Sequence, residues 1–243
     1  MLENKIHQEC CLDTLRKMPD DHVDVVVTSP PYNLNLRIRK GKYCSRQIVR
    51  EISTKYSEFD DNLPLEDYYK FHSEVLRELL RVSHIIFYNI QIVTGSKRST
   101  FKMIGEFADN LKDIVVWDKG YAQPAIQEKV LNRRSELILI FEKDYPISRQ
   151  FRRQGKFERG TLDDVWQINR ENSKSRSHAA VMPQELVRTI LKNFSSENDL
   201  VYDPFMGTGT TAIAALNQGC EYLGFDVDSD YITFANRRIN AND

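Results

Sequence analysis

Ser29-Pro30-Pro31-Tyr32 sets a hydroxyl, two rigid imino acids and an aromatic ring in four consecutive positions. Each proline locks its own φ and restricts the residue before it, so the polar groups of the segment are ordered before any ligand arrives. Tyr32 offers a π-face on which a flat ring can stack. A second segment near the other end of the chain, Asp203-Pro204-Phe205-Met206-Gly207-Thr208-Gly209-Thr210-Thr211, suits a different task. Gly207 and Gly209 lack a Cβ, so a loop there turns tightly and brings its amides close to a ligand. The apolar run after it, Ala212 to Leu216, reads as a helix whose N-terminal amides face an anionic group. Both segments follow apolar runs, Val23–Val27 and Leu200–Tyr202, that read as buried strands. Loops at strand ends are where open α/β sheets hold their ligands.

Taken together, the two segments resemble those of the amino-methylating DNA methyltransferases. Ser29-Pro30-Pro31-Tyr32 is similar to that family's catalytic motif, Asp/Asn/Ser-Pro-Pro-Tyr/Phe, and the segment from Asp203 to Thr211 is similar to its cofactor motif. Catalytic motif first and cofactor motif last is the permuted order of the beta subgroup, and the resemblance spans nearly the whole chain. It implies transfer of a methyl group from S-adenosylmethionine to the exocyclic amine of a DNA base, cytosine N4 or adenine N6. It also implies a Rossmann-like three-layer α/β fold, a mostly parallel seven-stranded sheet with one antiparallel strand near an edge. The strand at Ile6 would then pair beside the one at Tyr222.

The same resemblance assigns roles to single residues. Ser29 Oγ and the Pro30 carbonyl would accept hydrogen bonds from the two amine hydrogens, Pro31 would stiffen the loop, and Tyr32 would stack on the base. Such a base must first be flipped out of the duplex, and aromatic stacking offsets part of that cost. Asp203 would receive the ammonium of the cofactor's methionine part. Pro204, Phe205, Gly207, Gly209 and Thr210 would form the rest of its cradle, with Phe205 as a wall. Asp226, at the end of the strand Leu223-Gly224-Phe225, would bind both ribose hydroxyls, while Asp228 reads as a helix cap. His178, with Pro183, occupies the place of a further cofactor contact. Family members often carry Gly-Asp before the first helix, and Glu9-Cys10 stands there in this chain. Either Glu9 substitutes for that Asp, or the adenine contact is made by backbone alone. No metal and no covalent cysteine are required.

Length and composition agree with one domain over residues 1–243. A hydrophobic fraction of 41% and a charged fraction of 28% are those of a soluble globular protein. No apolar run suits a membrane span and the N-terminus does not read as a signal peptide, which together point to the cytoplasm. Cys10, Cys11, Cys44 and Cys220 include no Cys-x-x-Cys pair, so they read as reduced and mostly structural. Net charge is −1, but its distribution is uneven. Residues 34–55 hold seven basic residues, among them Arg37, Arg39, Lys40, Lys42 and Arg46, against the single acid Glu51. Residues 147–160 hold Arg149, Arg152, Arg153, Lys156 and Arg159 against Glu158. These two segments read as phosphate-facing surfaces for DNA, the alternative being solvated charged loops.

The elements that must position these groups alternate between strand and helix. Helices are predicted at Leu65–Arg81, Phe101–Leu111, Pro183–Phe194 and Ser229–Asn240, and strands at Ile85–Tyr88, Ile114–Trp117, Glu136–Phe141 and Tyr222–Phe225. Asn33–Glu58 has no clean period and reads as an inserted flap. A polar, basic stretch over 145–177, interleaved with Phe151, Phe157 and Trp166, is the segment for reading the DNA sequence. It is short, so the flap or a second copy of the chain in a homodimer would have to extend it. Serine in the first motif position favours cytosine N4, with adenine N6 as the alternative. A cofactor-binding but inactive nucleic-acid module and an RNA or protein methyltransferase are the other readings. The intact catalytic motif argues against the first and the motif order against the second. The target sequence and any partner nuclease are not written in these residues.

Overall fold

Alternation along the strands divides the interior in two. In β2 (Val23–Thr28) Val26 faces one core, while Val25 and Val27 face the other. In β5 (Ser83–Ile90) Ile86, Tyr88 and Ile90 join Val26, and Ile85 and Phe87 join Val25. In β7 (Ser135–Glu142) Leu139 and Phe141 go one way and Ile138 and Ile140 the other. A sheet buried on both faces needs a helical layer on each side, and near-continuous apolar strands are its signature.

The computed structural model describes residues 3–33, 37–39, 42–44, 63–122, 128–143, 150–151, 155–171 and 182–241, with the backbone only for 37–39 and 42–44. The remaining elements in chain order are β1 (Lys5–Gln8), α1 (Cys11–Leu15), β3 (Arg37–Arg39), β4 (Lys42–Cys44), α2 (Leu65–Val82), α3 (Lys97–Glu106), β6 (Leu111–Asp118), β8 (Val165–Gln167), α4 (Gln184–Phe194), β9 (Leu200–Asp203), α5 (Thr210–Asn217), β10 (Glu221–Asp226) and α6 (Ser229–Asn240). The main sheet runs β1-β10-β9-β2-β5-β7-β6-β8. All neighbours are parallel except where β7 lies antiparallel between β5 and β6. Residues of α1, α2 and α3 pack on one face, and those of α4 and α5 on the other. Among the described residues no helix is long and apolar enough to cross a membrane.

This is the expected three-layer α/β fold with its single antiparallel strand. The sheet has eight strands where seven were expected, because the basic stretch contributes β8. Trp166 of β8 pairs beside Trp117, and the Trp117 indole donates to the Ile168 carbonyl at 2.8 Å. The permutation closes as anticipated, with Ile6 opposite Gly224 and Gln8 opposite Asp226. The α3 helix lies earlier than its predicted span of Phe101–Leu111. Phe107 is buried and caps it, a turn follows, and Leu111 already pairs with Phe141 in the sheet. Tertiary pairing takes the last residues of an otherwise helical pattern. Within the expected flap, β3 and β4 form an antiparallel ribbon, Arg37 opposite Cys44 and Arg39 opposite Lys42.

Candidate active site

The order of the strands puts the two motif loops side by side. β9 lies between β10 and β2, and β2 lies beside β5. The loop from Asp203 to Gly209 and the loop from Ser29 to Asn33 therefore leave the same edge of the sheet.

Asp203 is 3% exposed. Its Oδ1 accepts from Thr28 Oγ1 at 2.7 Å and from the Phe205 amide at 3.0 Å, and its Oδ2 accepts from Thr211 Oγ1 at 2.7 Å. Burial pushes the carboxyl up to about 6, and these three donors hold it from going higher. The resemblance gave this residue a ligand contact, and in the structure its side chain fastens three chain segments together. One acceptor direction of Oδ2 is left for a ligand.

Asp226 is arranged differently. Its Oδ2 accepts from the Gly207 amide at 2.8 Å and its Oδ1 from the Asp228 amide at 2.9 Å. Each oxygen keeps an acceptor direction, and the side chain is only half-buried. Burial raises its carboxyl above the ordinary range. Asp228 caps α6, accepting from the amides of Asp230 at 2.9 Å and Tyr231 at 3.3 Å.

The two glycines play unlike parts. Gly207 has φ +52° and open space where a Cβ would stand, the nearest atom being the Phe205 carbonyl at 3.9 Å. A ligand can approach its backbone. Gly209 has φ +82°, and a Cβ there would lie 2.8 Å from the Ala235 Cβ of α6. Its missing side chain makes room for that helix. Thr210, in the first turn of α5, has a buried hydroxyl with no partner among the described residues. Pro204 is buried, and Phe205 packs against the core with its ring 6.1 Å from that of Phe71. The spare acceptors of Asp226, the open approach at Gly207 and the orphan hydroxyl of Thr210 make a donor and acceptor set that fits S-adenosylmethionine.

Cys10 is the cap residue of α1, and a hydrogen bond with the Cys11 thiol brings its own thiol down to about 6. Glu9 accepts from Thr14 Oγ1 at 3.1 Å and pairs with Lys17 at 3.6 Å, so its carboxylate is turned along α1. Both follow Gln8, whose register partner is Asp226. His178 lies outside the described residues. Pro183 is the cap residue of α4.

In the other loop, Pro30 and Pro31 are buried, while Ser29 and Tyr32 are half-buried. Tyr68 of α2 donates to the Pro31 carbonyl at 3.3 Å and Ser96 Oγ to the Tyr32 carbonyl at 3.2 Å. Asn33, at φ +55°, donates from Nδ2 to the Leu63 carbonyl at 2.9 Å. Thus α2 and the start of α3 clamp the loop, and no hydrogen bond engages the Pro30 carbonyl among the described residues.

Three further residues meet this loop and were not singled out from the sequence. Asn89 Nδ2 donates to Tyr32 Oη at 2.7 Å and to Glu136 Oε2 at 3.0 Å. Tyr32 Oη donates to the same Oε2 at 2.9 Å and lies 2.9 Å from Ser29 Oγ. Lys119 Nζ reaches Glu136 Oε1 at 3.0 Å, and Arg170 stands 3.9 Å from it. Asn89 and Lys119 are each 2% exposed and Glu136 8%. Burial lowers the Lys119 ammonium below its ordinary value, and Glu136 opposes that shift. The visible signal was polarity at the ends of apolar strands. Asn89 sits near the end of β5, Lys119 follows β6 and Glu136 is near the start of β7.

The basic residues are less fully described. Arg37, Arg39 and Lys42 belong to the β3–β4 ribbon. Lys40, Arg46, Arg149, Arg152 and Arg153 lie outside the described residues. Lys156 is exposed, and its amide donates to the Asn193 carbonyl at 2.7 Å.

A family model described as DNA methylase, of the N6/N4 methyltransferases, matches residues 23–237. The chain belongs to the N6/N4 DNA methylase family. Its curated relatives include the Type II methyltransferase M.BglII from Bacillus subtilis, 26% identical over 96% of this chain and 68% of that one. The Type II methyltransferase M1.MboII from Moraxella bovis is also 26% identical, over 99% of this chain and 98% of its own. Among solved structures, the cytosine-N4-specific PvuII DNA methyltransferase superposes with a TM-score of 0.72 at 16% identity, over 98% of this chain and 86% of that one. The M1.HpyAVI complex with S-adenosylmethionine gives 0.63 at 17% identity, over 96% of this chain and 98% of its own. These two carry the fold. This methylase is an S-adenosylmethionine-dependent DNA amino-methyltransferase, acting on cytosine N4 or adenine N6.

Proposed function

We propose that the methylase is a single-domain, site-specific enzyme that methylates N4 of a flipped cytosine. The observation that carries the reading is the Thr28–Asp203 hydrogen bond of 2.7 Å. It supports a site in which the loop that holds the base and the loop that holds the methyl donor are registered against each other. S-adenosylmethionine supplies a methyl group on a sulfonium, an excellent leaving group. The protein's task is therefore positioning and lone-pair release more than strong base catalysis.

Ser29 Oγ and the Pro30 carbonyl accept the two amine hydrogens and draw the nitrogen toward a tetrahedral shape. The clamp from Tyr68 and Ser96 keeps these acceptors in place, so little reorganisation is needed in the transition state. The Tyr32 ring stacks on the base. Asp226 takes the ribose hydroxyls, Gly207 and Thr210 line the approach, Phe205 and Pro204 form a wall, and Asp203 braces the loop. Glu9 and Cys10 border the same rim, and His178 is assigned a further cofactor contact. Arg37, Arg39 and Lys42 of the β3–β4 ribbon, with Lys40 and Arg46 of the same basic stretch of sequence, and the segment with Arg149, Arg152, Arg153 and Lys156, hold the phosphates. Sequence reading falls to residues 145–177, extended by the flap at 33–58 or by a second copy in a homodimer. The cytoplasm, where DNA and S-adenosylmethionine meet, is the place of action.

The cytosine assignment rests on Ser29, a neutral acceptor. Purified protein is incubated with DNA of mixed sequence and S-adenosylmethionine, and the digested product is read by mass spectrometry. N4-methylcytosine is the expected product. N6-methyladenine alone would overturn the choice of base, and neither modification on any DNA would overturn the activity.

A further inference from the structure

A hydroxyl can donate or accept, and the amine of a base needs Ser29 to accept. Several groups in the site bear on that choice. Glu136 is ion-paired with Lys119 at 3.0 Å, and a carboxylate only accepts. The phenol of Tyr32 has a single proton and stands 2.9 Å from Glu136 Oε2, so that proton is directed there. The opposite arrangement would set the phenol lone pairs against the carboxylate. Tyr32 Oη must then accept from Asn89 Nδ2 at 2.7 Å and from Ser29 Oγ at 2.9 Å. The carboxylate orients Asn89 as well. Its amide nitrogen faces Oε2, and its Oδ1 has no partner among the described residues.

Resting on the methyltransferase reading above, we propose that Glu136 and Lys119 are positioning residues that act through the Tyr32 hydroxyl to set Ser29 as a hydrogen-bond acceptor. With its own proton committed to Tyr32, Ser29 turns its lone pairs outward. One faces Asn89 at a long 3.4 Å, and another is left for an amine hydrogen of the base. The chain runs from Ser29 through Tyr32 to a carboxylate, and successive hydrogen bonds polarise one another in a buried site. Ser29 thereby gains part of the acceptor strength of a carboxylate while remaining neutral. Tyr32 has two separable functions: the ring meets the base, and the hydroxyl transmits the charge of Glu136. A phenylalanine at position 32 would supply only the first.

The test separates the two functions. In single-turnover assays with the full chain, duplex DNA and S-adenosylmethionine, Tyr32→Phe is expected to slow methyl transfer about tenfold or more, as for loss of one oriented polar group. Cofactor affinity by calorimetry and base capture, read from 2-aminopurine fluorescence at the target position, are expected to stay within about twofold, since the ring remains. In a Ser29→Ala background the same Tyr32→Phe change is expected to have little further effect, because the two groups act as one unit. Glu136→Gln is expected to repeat the Tyr32→Phe pattern, with a fall in kcat and little change in KM for DNA. Should Glu136→Gln fail to fold, the Ser29–Tyr32 cycle decides alone. A full rate in Tyr32→Phe, or an equal loss with and without Ser29, overturns the proposal and leaves the methyltransferase reading standing. Absence of any methylation by the unaltered protein overturns both.

Discussion

The hydroxyl of Thr28 donates a 2.7 Å hydrogen bond to Asp203, a residue 175 positions further along the chain. Thr28 is the last residue of β2 and immediately precedes Ser29, while Asp203 is the last residue of β9 and opens the cofactor loop. The two strands are parallel neighbours, with Val25 opposite Val201 and Val26 opposite Tyr202. A shift of either strand end would therefore move both loops. The same carboxylate also holds Thr211 in α5.

That carboxylate makes stability depend on pH. Its folded value, about 6, lies above the ordinary aspartate value of 3.8, with burial as the main cause. The folded state thus binds the proton more tightly than the unfolded state. The stability from this group is full below about pH 4 and is lost as pH rises through about 6, at most about 3 kcal/mol. Asp203→Asn cannot titrate. The melting temperature of Asp203→Asn minus that of the wild type should therefore be several degrees higher near pH 8 than near pH 4. An identical difference at both pH values would show that Asp203 is not raised.

Asp226 carries the spare acceptors, and Asp203 carries the brace. Asp226→Ala should weaken S-adenosylmethionine binding about tenfold or more while melting within a few degrees of the wild type, since its half-buried oxygens leave only two amides to be satisfied by water. Asp203→Ala should abolish binding and lower the melting temperature as well. Calorimetry and thermal melts on the same samples distinguish the two patterns.

The glycines of the cofactor loop should also separate. Gly209→Ala places a methyl 2.8 Å from Ala235 at φ +82° and should cost a few kcal/mol of stability, from strain and clash together. Gly207→Ala meets no atom closer than 3.9 Å and should cost about 1 kcal/mol, from its φ alone. Its larger effect should fall on cofactor affinity. Denaturant melts with and without S-adenosylmethionine measure both.

Replacing Arg37, Arg39 and Lys40 with Ala should weaken DNA binding and flatten its dependence on salt, by a slope of up to about 0.9 for each phosphate no longer neutralised. Cofactor affinity should not change. An unaltered slope in fluorescence anisotropy titrations would show these charges to be solvated and remote from DNA.

Much of the scaffold was legible because it depends on local pattern. The apolar runs at Val23, Leu200 and Tyr222 are strands in the structure, and the face of α2 from Tyr68 through Leu79 is buried at helical spacing. Asp228 caps α6 as its position suggested. The α3 boundary was not legible, because pairing of Leu111 with Phe141 joins residues remote in sequence. Nor could spacing separate Gly207 from Gly209, since the difference is the presence of Ala235 in another element.

By itself the sequence determined the chemistry on offer: an ordered Ser-Pro-Pro-Tyr loop, a glycine-bearing loop before a helix, and strands apolar enough to be buried on both faces. These follow from backbone restriction and side-chain pattern, which act over a few residues. Only the tertiary structure decided how the groups are wired. The antiparallel insertion of β7 brings Glu136 to the ends of β5 and β6, where Asn89 and Lys119 meet it. The adjacency of β2 and β9 makes Asp203 a brace between the two loops, with one acceptor direction left over. A buried hydrogen bond needs both partners within about 3 Å, and such closeness between distant residues is set by strand order, which no local pattern encodes.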